Sequence, residues 1–127
     1  MPEKAVNDLL THKIIGCAMK VHSALGSGFQ EVIYQNSLEI EFAHENVLFI
    51  REKEMPIYYR EFKVGTRIFV DNLIMVELKA VIQLEDVHLA QAINYLEAYN
   101  IQTGLLINFG SQSLTFKRVY NKKYKPI

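Results

Sequence analysis

The sequence predicts an α/β fold, a mixed sheet with helices packed against it. Three observations carry that expectation. Apolar residues recur at helical spacing near the start of the chain and again after Glu85. From Val47 the pattern changes to runs of β-branched and aromatic residues. A helical stretch then separates two more strand-like runs, an order that lets those strands pair in parallel. The expected order is helix, helix, three strands, helix, two strands. With 127 residues and no Pro/Gly/Ser linker or repeat, a single domain over 1–127 is expected.

The first helix is expected from Asn7 to Leu25, with Leu10, Ile14, Cys17, Val21 and Leu25 on its apolar stripe. Asn7 can cap its start and Gly26 can end it. A second helix is expected over 30–46, with Val32, Ile33, Leu38, Ile40 and Phe42 on or near the buried side. The stretch VLFIREKEMPIYYREF reads as one extended strand, with Pro56 at an edge or bulge. VGTRIFV and LIMVELKAV follow as a hairpin turned at Asp71-Asn72, two residues that tolerate positive φ. Glu85 or Asp86 opens a helix through Val87, Ala90, Ile93, Tyr95, Leu96 and Tyr99. GLLINFG reads as a strand buried on both faces, SLTFKRVYN as the last strand, and KKYKPI as a frayed basic tail.

Half the residues are apolar and 22% are charged, which excludes a disordered chain. Fourteen basic residues offset fourteen acidic ones, so nucleic-acid contact would have to come from a local patch. The lone cysteine, Cys17, makes no internal disulfide and reads as a small core residue. No apolar run approaches the roughly 18 residues of a membrane span, and MPEKAVNDLL lacks the layout of a signal peptide. A cytoplasmic protein without a membrane partner is expected.

Chemistry centres on LIMVELKAV. Alternate strand residues share a face, so Met75, Glu77 and Lys79 lie on one side and Ile74, Val76 and Leu78 on the other. Glu77 and Lys79 form either a solvated face or structural ion pair, or a carboxylate that holds a divalent metal beside a lysine facing water or phosphate. Gln91 and Tyr95 share a helix face four residues apart, and His88 lies one turn before Gln91. Glu31 sits in the first turn of its helix, where the dipole favours a carboxylate, with Tyr34 on the same face. His12, His22 and His44 read as surface or cap residues. Tyr58 and Tyr59 with Arg60, and Phe116 with Lys117 and Arg118, interleave aromatics and bases, as core and solvent faces of strands do and as a nucleic-acid groove does. Lys122, Lys123 and Lys125 add phosphate attraction at the tail.

These residues in this order resemble the small bacterial family named for its G-x-x-E-x-x-Y motif, a branch of the PD-(D/E)XK nuclease superfamily. Gly28, Glu31 and Tyr34 match the naming motif, Glu77 and Lys79 the E-x-K, and Gln91 and Tyr95 a Q-x-x-x-Y pattern. The resemblance covers nearly the whole chain. It implies a restriction-endonuclease-like core and Mg²⁺-dependent cleavage of phosphodiester bonds in nucleic acid. It also implies roles: Glu77 and Glu31 as metal-side carboxylates, Lys79 on water or phosphate, Gln91 positioning water or backbone. Tyr34, Tyr95, His88 and Arg67 would then face substrate.

One departure bears on activity. The family pattern carries an Asp about ten residues before the E-x-K glutamate. Here VGTRIFVDNLIMVELKA puts Arg67 at that count, and the nearest acid, Asp71, falls in the turn. Arg67 would repel a cation and can bind a phosphate bidentately. Impaired hydrolysis is therefore expected. The alternatives are an inactive nuclease-fold module that binds nucleic acid or a partner protein, and a scaffold that oligomerises, with a homodimer left open.

Overall fold

In the computed structural model, residues 3–51, 57–59, 62–65, 68–71 and 73–127 are described, with side-chain surroundings for 8–49, 68–71 and 73–127. They form helices α1 (Glu3–Leu25), α2 (Glu31–His44) and α3 (Asp86–Ala98). The strands are β1 (Phe49–Arg51), β2 (Ile57–Tyr59), β3 (Phe62–Gly65), β4 (Ile68–Val70), β5 (Ile74–Lys79), β6 (Thr103–Asn108) and β7 (Thr115–Tyr120).

α1 begins four residues before the expected start, so Asn7 lies inside it and does not cap it. Glu3, Lys4 and Ala5 are good helix formers and nothing stops the helix there. It ends as expected at Gly26, whose φ of 71° needs no Cβ and whose N–H donates to the His22 carbonyl at 2.7 Å. α2 stops when Asn46 turns to φ 59° and the Val47 N–H returns to the Phe42 carbonyl at 2.8 Å. Its buried stripe is Tyr34, Leu38 and Phe42. The expected contributions of Val32, Ile33 and Ile40 are overturned: these side chains are exposed. Tyr34 fixes the rotation of the helix, and a stripe at i, i+4, i+8 leaves them outside.

Among the described residues five strands precede α3, where three were expected. The stretch expected as one strand is divided among β1, β2 and the start of β3, and VGTRIFV between β3 and β4. Pro56, Arg60, Arg67 and Asn72 lie outside the described residues, as do the side chains of Tyr58 and Tyr59. β2 and β3 pair with each other, and β1-β4-β5-β6-β7 form the main sheet. Within it β5 and β6 are parallel and the other pairs antiparallel. The β4–β5 turn holds Asp71 at φ 50°, as its residue type allows.

Two apolar layers flank the sheet. Ile74, Val76, Leu78, Leu105 and Ile107 pack against α1 and α2. Met75 packs with Ala92, Leu96 and Val119 under α3. The α3 stripe is thus Ala92 and Leu96, not Val87, Ala90 and Ile93, which are exposed. Every residue of β6 is buried, as its apolar run predicts, and each large side chain there contributes about 2 kcal/mol. Gly104 lets α3 approach closely, since a Cβ there would lie 2.9 Å from Val119 Cγ2 and 3.1 Å from Leu96 Cδ2. Cys17 is buried as expected, and burial pushes its thiol above its ordinary ionisation range.

The tail is not frayed. Asn100 donates to the Lys125 carbonyl at 2.8 Å and accepts from its N–H at 3.0 Å. Asn121, buried, donates to the Leu96 carbonyl at 3.1 Å and accepts from the Lys123 N–H. Among the described residues no helix is long and apolar enough to cross a membrane.

Candidate functional site

β5 carries the central pair. Ile74, Val76 and Leu78 occupy the α1/α2 layer, and Met75 that under α3, so alternation places Glu77 and Lys79 on the α3 face. Glu77 is only 2% exposed, and Lys79 is half-buried. Withdrawing a carboxylate from water costs several kcal/mol unless it is compensated, so its presence in a sheet interior calls for a charge-balancing role. Glu77 lies opposite Leu106, which lies opposite Lys117; Lys79 lies opposite Asn108, which lies opposite Thr115.

The exit from β5 is held by residues that sequence reasoning missed. Parallel pairing ends at Lys79 and Asn108, and the Phe109 N–H donates to the Lys79 carbonyl at 2.9 Å. Asn108, fully buried, then continues the pairing with its side chain. Its Oδ1 accepts from the N–H groups of Val81 and Gly110, both at 3.0 Å, and its Nδ2 donates to the Val81 carbonyl at 2.9 Å. Gly110 lies flush against this segment: a Cβ would meet Val81 N and O at 2.4 Å. The available signal was a lone amide closing an apolar run just before a glycine.

α3 starts beyond this exit and runs back toward the Thr103 end of β6, so its N-terminus stands at the Lys79 end. His88, Gln91 and Tyr95 follow one another on one flank of it, on the sheet face that carries Glu77 and Lys79. Gln91 is exposed, Tyr95 and His88 half-buried. His88 Nδ1 accepts the Glu85 N–H at 2.9 Å, so in the neutral ring the proton is on Nε2, free of the cap.

The second helix reaches the same end from the other layer. Gly28 adopts φ 109°, a conformation for glycine. Tyr34 is fully buried, stacked on Phe109 with ring centroids 4.6 Å apart. Its hydroxyl donates to the Gly26 carbonyl at 2.6 Å and accepts the Phe29 N–H at 3.2 Å. Two of the three motif residues therefore shape the loop, and Glu31 is left exposed in the first turn. The chain Tyr34–Phe109–Lys79 ties that turn to the carboxyl end of β5. His22, expected at the surface, is buried there too, its Nε2 donating to the Ser111 carbonyl at 3.0 Å.

A helix-flanked mixed sheet with E-x-K on its central strand is the frame of one nuclease group, and the sequence profile of the PD-(D/E)XK nuclease superfamily matches residues 8–119. The chain belongs to that superfamily. No curated protein and no solved structure matches it significantly.

Superfamily nucleases are typically dependent on a divalent metal. Glu77 suits a hard cation, being a buried oxygen donor. The rest of a donor set is not assembled around it: among the described residues no three His, Cys, Asp or Glu side chains come together. Asp71, in the turn beyond Ile74, is three strand residues and more from Glu77, roughly 10 Å, against a ligation distance of about 2.0–2.6 Å. Arg67 lies outside the described residues. The described acids thus fit half of a superfamily metal site.

Proposed function

We propose that this chain engages the phosphate backbone of nucleic acid at the carboxyl end of β5, and that its phosphodiester hydrolysis is impaired. The observation that supports this most is the buried Glu77 carboxylate with Lys79 on the same helix-facing side of the central strand. Lys79 is the phosphate contact. Glu77 is the acid that would anchor a weakened Mg²⁺ site; Glu31, the second acid the likeness assigns to it, stands exposed at the start of α2, in the other layer. Gln91, Tyr95, His88 and Arg67 border the substrate, and Tyr34 acts through the loop it holds. The G-x-x-E-x-x-Y likeness gives the same assignment. The second reading, a module that binds and does not cut, is favoured by Arg67 in the interval where the family pattern has its Asp.

Binding and cleavage of labelled DNA and RNA, with Mg²⁺ or with a chelator, test this reading. Binding should persist in chelator and weaken about tenfold in Lys79→Ala, since a charge-assisted contact is worth about 1.5 kcal/mol. Cleavage should be slow, rise in Arg67→Asp, and vanish from that variant on adding Glu77→Gln. Wild-type binding to no nucleic acid, or fast cleavage that survives Glu77→Gln, would overturn the proposal.

A further inference from the structure

All fourteen acidic residues precede Ala98, whereas five basic residues follow it: Lys117, Arg118, Lys122, Lys123 and Lys125. The zero net charge therefore conceals a segment of one sign. The fold places that segment along one border of the molecule. Among the described residues β7 is an edge strand of the main sheet, paired with β6. Lys117 shares the α3 face with Val119, and Arg118 points to the opposite face, so the border is positive on both sides. The tail lysines continue it on backbone pinned by Asn100 and Asn121. All five cations are exposed, and among the described residues the ion pair they make is Lys123 with Glu97, at 3.5 Å.

We infer that the β7 edge and its pinned tail are a docking surface for the phosphate backbone of nucleic acid, leading along the sheet border toward Lys79. The inference rests on the nucleic-acid reading of the β5 site. β7 is about 20 Å long, enough for several successive phosphates. Its Thr115 end lies in the row of Asn108 and Lys79, and its Tyr120 end opens to the tail. A polyanion of repeating charge matches cations carried on ordered backbone, so that binding orders their side chains and not the main chain. Charges on an edge strand also discourage pairing with other chains, and the test separates the two roles.

Fluorescence anisotropy of a labelled single-stranded DNA oligonucleotide and its duplex, in chelator across a salt series, reads the surface. Lys117→Ala and Lys122→Ala should each weaken binding several-fold and flatten the salt dependence by about 0.7–0.9 per lost contact. Lys13→Ala on α1 should do neither. Unchanged affinity of the Lys117→Ala/Lys122→Ala double variant, with or without self-association, overturns the inference. So does tighter binding of the protein to phosphatidylserine vesicles than to the oligonucleotide. Loss of binding in Lys79→Ala with none in the double variant leaves the β5 reading standing and this one refuted; the reverse pattern refutes the β5 reading and, with it, the path toward Lys79, leaving a β7 contact alone. No binding by the wild type refutes both.

Discussion

Asn108 shows how one side chain can stand in for a stretch of strand. Its amide oxygen takes two backbone N–H groups, and its nitrogen donates to the Val81 carbonyl and faces Ser111 Oγ at 3.5 Å. Asn108→Leu should cost about 2–3 kcal/mol in urea unfolding, because buried backbone groups lose their partners. Asn108→Asp keeps the acceptor contacts but sets a carboxylate against the Val81 carbonyl. That carboxyl should have a raised folded pKa, so the folded state holds the extra proton. Stability of this variant should therefore be highest below about pH 4 and fall as pH rises through the folded pKa, relative to wild type. At this scale Glu77 and Lys79 were legible, since charges inside an apolar run stand out. Asn108 was not, because an amide at the end of such a run reads as a strand terminus. His22 was misread because helical spacing does not reveal a carbonyl arriving from Ser111.

The elements follow the periodicities, and their errors share a cause. α2 contains more apolar residues than its buried stripe needs, and rotation about its axis was set by Tyr34, which the spacing did not single out. Tyr34→Phe isolates the consequence. The ring keeps its stacking on Phe109, while the Gly26 and Phe29 hydrogen bonds are lost. Unfolding should show a loss of about 1–2 kcal/mol, and amide exchange should quicken in the 26–29 loop before elsewhere. The strand region was the least legible, because one long β-rich run does not disclose which of its pieces join the main sheet and which pair as β2 and β3.

Across the whole molecule, the α/β class and the parallel join through α3 were legible because the hydrophobic period changes there. The pairing order was set by tertiary contacts: β5 and β6 are buried on both faces, whereas β1 and β7 are borders. Native-state hydrogen exchange should mirror this, with the slowest amides in β5 and β6 and faster ones in β1 and β7. Uniform protection across the sheet would contradict that ordering.

The absence of a side chain at Gly110 sets the route the chain can take out of β5. A methyl group at 110 would collide with main chain, which has no rotamer to yield, so the whole crossover would need a new route. Gly110→Ala should therefore disturb the passage from β5 to α3 more than the loss of any exposed charge beside it.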